Sequence, residues 1–257
     1  MKFSILSSGS RGNSCYLETG SARILVDAGL SGIEIERRLG AVGILPQSLD
    51  AIFVTHEHTD HIKGVGVLAR RYGLPVYANS ETLKYAQKAL GKLPEVISFQ
   101  TGETLNIKNL SVETFTKCHD AADPIGLVFR NNGIKIGLVT DMGRSTRLAE
   151  DRLRSCNALI MEFNYDPAML SEGPYPLDLK RRINSAEGHL SNQQAGELLE
   201  ALSHRDLKHL VLAHLSETNN QPKIALKAAK TVLKRCVLKQ TKVLVGKQDE
   251  ASPFIEM

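Results

Sequence analysis

The chain has no tryptophan, and its few tyrosines and phenylalanines bring the aromatic share to only 5% of 257 residues. A base-stacking platform needs aromatic faces, so phosphate contacts would have to carry any affinity for nucleic acid. Cysteine is equally sparse. Cys15, Cys118, Cys156 and Cys236 lie far apart and form no C-x-x-C pair, which excludes a zinc knuckle and a disulfide framework and points to a reducing compartment. No apolar run approaches the roughly 18 residues of a membrane span, and the run within Met1 to Gly9 is too short for a signal peptide. The expectation is a cytoplasmic protein with no membrane partner. Also missing are a G-x-S-x-G elbow and a P-loop, so neither a serine nucleophile nor a Walker-type phosphate cradle is indicated.

What is present in bulk is ordinary: 42% hydrophobic and 23% charged residues, as in a globular α/β protein. A chain of this length can bury one sizeable core, and a single domain over 1–257 is expected. Net charge is +4. That mild basicity permits an anionic partner but is equally the mark of a solvated surface.

The informative stretch is Thr55-His56-Glu57-His58-Thr59-Asp60-His61. It follows the apolar run Ala51 to Val54, which reads as a buried strand, and precedes Ile62 to Arg71, which reads as a helix. Neutral imidazole and carboxylate suit zinc, iron and manganese. A loop leaving a strand can turn His56 and His58 toward one point while a helix start presents Asp60 and His61 toward a second. One loop could thus feed two metals. The alternative is a solvated loop that happens to be rich in histidine; with only 8 histidines in the chain, three at this spacing argue against it.

T-H-x-H-x-D-H after a hydrophobic strand resembles the signature of the metallo-β-lactamase superfamily, and the other motifs of that family follow in order. Asp27 closes the run Arg23 to Val26; His119 follows Lys117-Cys118; Asp141 sits in Leu138 to Gly143; His214 closes Val211 to Ala213. The resemblance implies an αββα sandwich of two mixed β-sheets flanked by helices, with two divalent ions, zinc or manganese and also iron. The first would take His56, His58, His119 and a bridging Asp141; the second would take Asp60, His61, Asp141 and His214. His119 by itself could be an ordinary polar loop residue, but the first metal asks for a third imidazole. Asp27 fits hydrogen-bonded support of the loop better than ligation. Two metals sharing a water need no protein nucleophile. A B1-type lactamase carries cysteine where Asp141 stands, so aspartate argues for a more general dinuclear hydrolase.

A second resemblance narrows the reaction. Glu162 with Gly188-His189 looks like the tRNA-maturation endonuclease branch, where a Glu and a His contact the scissile phosphate. Together with Ser7-Ser8-x-Ser-x-Gly-Asn13 and His214-Leu215-Ser216, it is similar to the bacterial WalJ (YycJ) group. That likeness implies a nuclease on DNA, ahead of RNA, working from the 5′ end, with Asp60, His189 and Glu162 in the catalytic set. Ser8, Ser10 and Asn13 of the small-residue loop, and Arg181 and Arg182 of the basic run at 180 to 182, are candidate phosphate contacts. A plain hairpin turn explains the loop equally well. Two other functions stay open: a phosphodiesterase for cyclic or alkyl phosphates, and a non-catalytic metal-bound nucleotide binder.

Elsewhere, Asn132-Gly133 predicts a hairpin, Ser80 and Ser145 are expected to cap helices, and residues 171 to 188 read as loop or irregular helix above the cleft. Lys223, Lys227, Lys230 and Lys234 at helical spacing predict a solvated basic face that could also steer nucleic acid.

Overall fold

The computed structural model describes all 257 residues. The first half of the chain supplies strands β1 (Lys2–Ser7), β2 (Ser14–Glu18), β3 (Arg23–Val26), β4 (Ala51–Phe53), β5 (Pro75–Asn79) and β6 (Glu95–Phe99), with helices α1 (Gly32–Ala41), α2 (Thr59–Ile62), α3 (Val65–Tyr72) and α4 (Ser80–Leu90) between them. The second half supplies β7 (Thr104–Ile107), β8 (Leu110–Thr116), β9 (Ile125–Asn131), β10 (Ile134–Val139), β11 (Ala158–Glu162), β12 (His209–Ala213), β13 (Lys242–Val245) and β14 (Ile255–Glu256). Its helices are α5 (Arg147–Leu153), α6 (Pro167–Glu172), α7 (Leu177–Ile183), α8 (Asn192–Leu202) and α9 (Pro222–Arg235).

The strands form two seven-stranded sheets, ordered β14-β1-β2-β3-β4-β5-β6 and β13-β12-β11-β10-β9-β8-β7. Each sheet mixes parallel and antiparallel pairs. Strand side chains alternate between faces, and here both faces are apolar. Ile24 and Val26 point into the layer between the sheets, where they meet Leu127, Phe129 and Ile160, while Leu25 points out to Ile35 and Leu68 beneath α1 and α3. On the other side Leu210 and Leu212 pack under α5, α8 and α9 with Leu153, Leu199 and Ala229. The result is the expected αββα sandwich. Burial on both faces is why these strands read as continuous apolar runs.

The structure departs from the sequence reading at element ends. The helix expected over 62 to 71 is broken into α2 and α3 at Gly64, whose backbone lies so close to Leu30 that a Cβ would sit 2.5 Å from its carbonyl oxygen. Asn79, rather than Ser80, caps α4 by accepting the Thr82 N–H, and Thr146, rather than Ser145, caps α5. Past His189, α8 starts at Asn192, because Ser191 and Gln194 form a reciprocal capping box. Residues 171 to 188 hold the end of α6 and all of α7, and α7 has no buried residue. No helix is long and apolar enough to cross a membrane.

Candidate metal centre

The strands that carry the motif residues run in one direction, so their C-terminal ends meet at one rim of the sandwich, where α/β sheets place their sites. Asp27 follows β3, the loop 55 to 61 follows β4, His119 follows β8, Asp141 follows β10, Glu162 ends β11 and His214 follows β12. Asp27, Asp141 and His214 each adopt a left-handed backbone, with φ of 57°, 55° and 54°. For non-glycine residues that conformation costs about 1–3 kcal/mol and persists only where the surroundings hold it. It turns each side chain back over the strand end.

Seven donors fall into two groups whose ligand atoms lie within 4.8 Å of one another: His56, His58 and His119; and Asp60, His61, Asp141 and His214. In the first, each ring has one nitrogen tied from outside. His56 Nδ1 donates to Thr55 Oγ1 at 3.0 Å, His58 Nε2 to the Asp120 carbonyl at 3.1 Å, and His119 Nδ1 to the Glu187 and Gly188 carbonyls at 3.1 Å. The nitrogens left over converge, with His58 Nδ1 and His119 Nε2 3.2 Å apart. In the second group carboxylates do the tying. His61 Nδ1 donates to Asp27 at 2.7 Å and His214 Nδ1 to Glu162 at 2.8 Å. Asp27 also accepts the Thr55 N–H and hydroxyl, both at 2.8 Å, so it is tied to the first residue of the loop. Gly29 lets that loop close in: a Cβ there would lie 1.6 Å from the Asp60 carbonyl oxygen.

The two groups differ in charge. Burial pushes the His56 imidazole well below its ordinary pKa, and burial takes His119 down to about 4. Burial also opposes the charged forms of His61 and His214, but Asp141 and its neighbouring carboxylates override it, raising His61 to about 10 and His214 well above the usual range. Metal fit can be judged from what is left unpaired. His56 Nε2, His214 Nε2 and Asp141 Oδ2 are buried without any hydrogen-bond partner, a cost that native interiors avoid unless a cation or water completes the site. Imidazole and carboxylate donors, with no thiolate among them, suit a divalent ion.

The other expected site residues divide. His189, Ser10 and Arg182 line a cleft of about 260 Å³ in front of the donors, together with Asp60, Asp120, Tyr175 and Leu179. Arg182 is held there by Asp120. Glu162 does not face the cleft. Its buried carboxylate accepts from His189 Nδ1, His214 Nδ1 and the N–H groups of Asp141, Met142 and Leu190, which fills its lone pairs and makes it a positioning residue. Opposing its burial, the facing His189 and His214 hold it down at about 2. Ser8 is likewise withdrawn, its hydroxyl accepting the His214 N–H at 2.7 Å. Asn13 is buried and donates to Asp60, its Nδ2 lying 3.1 Å from His61 Nε2, and Arg181 is exposed beside Asp178. None of these three is placed to meet a phosphate.

Sequence reasoning missed Asp120, Tyr175, Leu179 and Lys117. Only Asp120 carried a signal, being next to His119. Lys117 is 4% exposed; its ammonium donates to the Thr140 carbonyl at 2.6 Å and lies 3.9 Å from Asp141 Oδ2.

Comparison with known proteins agrees with this geometry. Residues 22–215 match the family described as Beta-lactamase superfamily domain. The chain is 40% identical to Exodeoxyribonuclease YycJ of Bacillus anthracis over 235 residues, covering 91% of this chain and 89% of that one. It is 41% identical over 229 residues to Exodeoxyribonuclease WalJ of Streptococcus pneumoniae, covering 87% and 85%. The fold superimposes on the crystal structure of the metallo-beta-lactamase fold protein YhfI of Bacillus subtilis with a TM-score of 0.74, at 19% identity over 98% of each chain. The chain belongs to the metallo-β-lactamase superfamily, as a metal-dependent hydrolase of its WalJ/YycJ group.

Proposed function

We propose that the protein is a dinuclear nuclease that removes nucleotides from the 5′ end of DNA in the cytoplasm. The observation that carries this reading is the place of His189. Its ring centroid lies 5.3 Å from that of His119 and 5.1 Å from that of His214, so it stands between the two donor groups. Its Nδ1 is bound to Glu162, leaving Nε2 as the nitrogen that meets substrate. The names of the two relatives, both exodeoxyribonucleases, support DNA as the polymer. The four cysteines are free thiols, which suits the reducing cytoplasm.

In this reading His56, His58 and His119 would hold one divalent cation and Asp60, His61 and His214 the other, with Asp141 the carboxylate assigned to both. Such cations supply Lewis acidity for the phosphoryl oxygens and lower the pKa of water at the cleft. The chain's own groups do the rest. Glu162 fixes the His189 ring and holds a proton on Nδ1, so that Nε2 delivers its proton to the departing oxygen. Glu162 equally fixes His214, so one buried carboxylate aligns an acid and a ligand. Asp60, at the cleft wall, orients the attacking water. Arg182 exchanges Asp120 for a substrate phosphate, and Tyr175 with Leu179 offers the base an apolar side.

The small cleft also favours a second reading, a phosphodiesterase for small cyclic or alkyl esters. Digestion of end-labelled DNA and RNA, with and without a 5′ phosphate and with Mn²⁺ or Zn²⁺, separates the two. Stepwise loss from the 5′ end of DNA, absent in Asp141→Asn, supports the nuclease. Intact polymers beside metal-dependent cleavage of bis(p-nitrophenyl) phosphate would replace it with the second reading.

A further inference from the structure

Most basic side chains on the other helices have acidic or carbonyl partners. Arg37 and Arg38 pair with Glu34 on α1, Arg71 of α3 with Glu36, Lys84 with Glu81 on α4, and Arg181 and Arg182 of α7 with Asp178 and Asp120. Helix α9 is different. Its 14 residues include no acid, and Lys223, Lys227, Lys230 and Lys234 are all exposed and make no salt bridge, while Arg235 alone is engaged, by Glu200 of α8. Spacings of three and four residues set the four lysines in one stripe, where like charges repel. Lys223 also stands in the first turn, where the helix dipole favours an acid. A face turned only to water mixes both signs. The stripe is therefore held against a local cost, and an anionic surface laid along it would remove that cost.

The fold fixes where the stripe leads. β12 and β13 are parallel, so α9, which connects them, runs back from the rim along the outside of their sheet. Ser216 lines the cleft, and Pro222 opens α9 six residues later. The stripe thus starts beside the cleft and leads away from it. From Lys223 to Lys234 it is about 16 Å long, a length over which one DNA strand carries about five phosphates. With few aromatic residues to stack bases, charge has to hold the polymer. We infer that the lysine stripe of α9 is a second DNA-contact surface, which holds the phosphates of the strand downstream of the end lying in the cleft. This rests on the nuclease reading. It makes affinity depend on length, because only a strand that extends past the cleft reaches α9.

The test is fluorescence anisotropy of 3′-labelled DNA, about 4 or about 30 nucleotides long, bound to the metal-loaded protein over a range of salt concentrations. Phosphorothioates at the first linkages stop cleavage. One variant joins Lys223→Gln, Lys227→Gln, Lys230→Gln and Lys234→Gln, and a second carries arginine at the same positions. A third joins Lys84→Gln, Lys88→Gln, Lys92→Gln and Lys108→Gln, the same change of charge around β6 and β7, at the sheet edges away from α9. The first variant is expected to bind the long strand at least about tenfold more weakly and to lower the slope of log affinity against log salt by about three. Its affinity for the short strand and its cleavage of bis(p-nitrophenyl) phosphate should match wild type, and arginine should restore long-strand binding. Unchanged affinity for the long strand overturns the inference and leaves the stripe to an acidic protein partner. Equal weakening in the third variant, or of the short strand in the first, overturns it too. A wild-type protein that binds neither strand yet cleaves bis(p-nitrophenyl) phosphate removes the nuclease reading, and this inference with it.

Discussion

The two halves of the metal centre are built from the same seven-residue loop yet held in opposite ways. His56 and His58, with His119, are tied from outside by neutral oxygens of Thr55 and of the backbone at Asp120, Glu187 and Gly188, and burial keeps the rings of His56 and His119 neutral. His61 and His214 are tied by the carboxylates of Asp27 and Glu162 and share their space with Asp60 and Asp141, so they hold protons. The first half is a neutral cradle ready for a cation. In the second half, protons occupy the cation's place. The contrast comes from what each strand end delivers, imidazole alone from β8 against carboxylates from β3, β10 and β11.

Removing Asp141 should break both halves at once, since it is the carboxylate proposed for both cations. Asp141→Asn is expected to lower nuclease activity by about a thousandfold or more, several kcal/mol of transition-state stabilisation, with metal content reduced throughout. His119→Ala should split the pair. Activity falls by a similar order, but metal analysis finds the carboxylate-rich half still loaded. Asp27→Asn places an N–H against His61 Nδ1 or the Thr55 donors, and should weaken metal binding in the second half by about 10- to 100-fold while sparing the first. The smallest effect is on stability. In the metal-free protein the raised pKa of His61 contributes stability fully below its unfolded value near 6.5, and this is lost as pH climbs through about 10. Thermal melts of chelator-treated protein should decline over that window. With metal bound the proton is displaced and the decline should vanish, because ligation needs neutral imidazole.

Most of this centre was legible in the sequence because its ligands are local. His56, His58, Asp60 and His61 lie within one loop, Asp27, Glu162 and His214 stand directly at the ends of apolar runs, and short apolar runs rich in β-branched residues and bounded by turn residues read as strands. What was not legible depends on distant partners. Glu162 was expected at the phosphate, but three N–H groups and two rings from other segments converge on it. Ser8 looked like a phosphate donor until the fold brought the His214 N–H onto its hydroxyl. Lys117 read as an ordinary residue before His119, because nothing in its neighbours announces that its ammonium will be buried behind Asp141. The caps missed by one residue show the same limit at shorter range: adjacent Asn79 and Ser80 are both good caps, and packing chooses between them.

The central claim is that one half of the centre takes up a cation without releasing protons and the other does not. Calorimetric titration of chelator-stripped protein with Zn²⁺ at neutral pH, repeated in buffers of different ionisation enthalpy, measures the protons released per ion bound. Two steps are expected, one independent of buffer and one releasing about two protons, from His61 and His214. A single step, or equal release in both, would contradict the account.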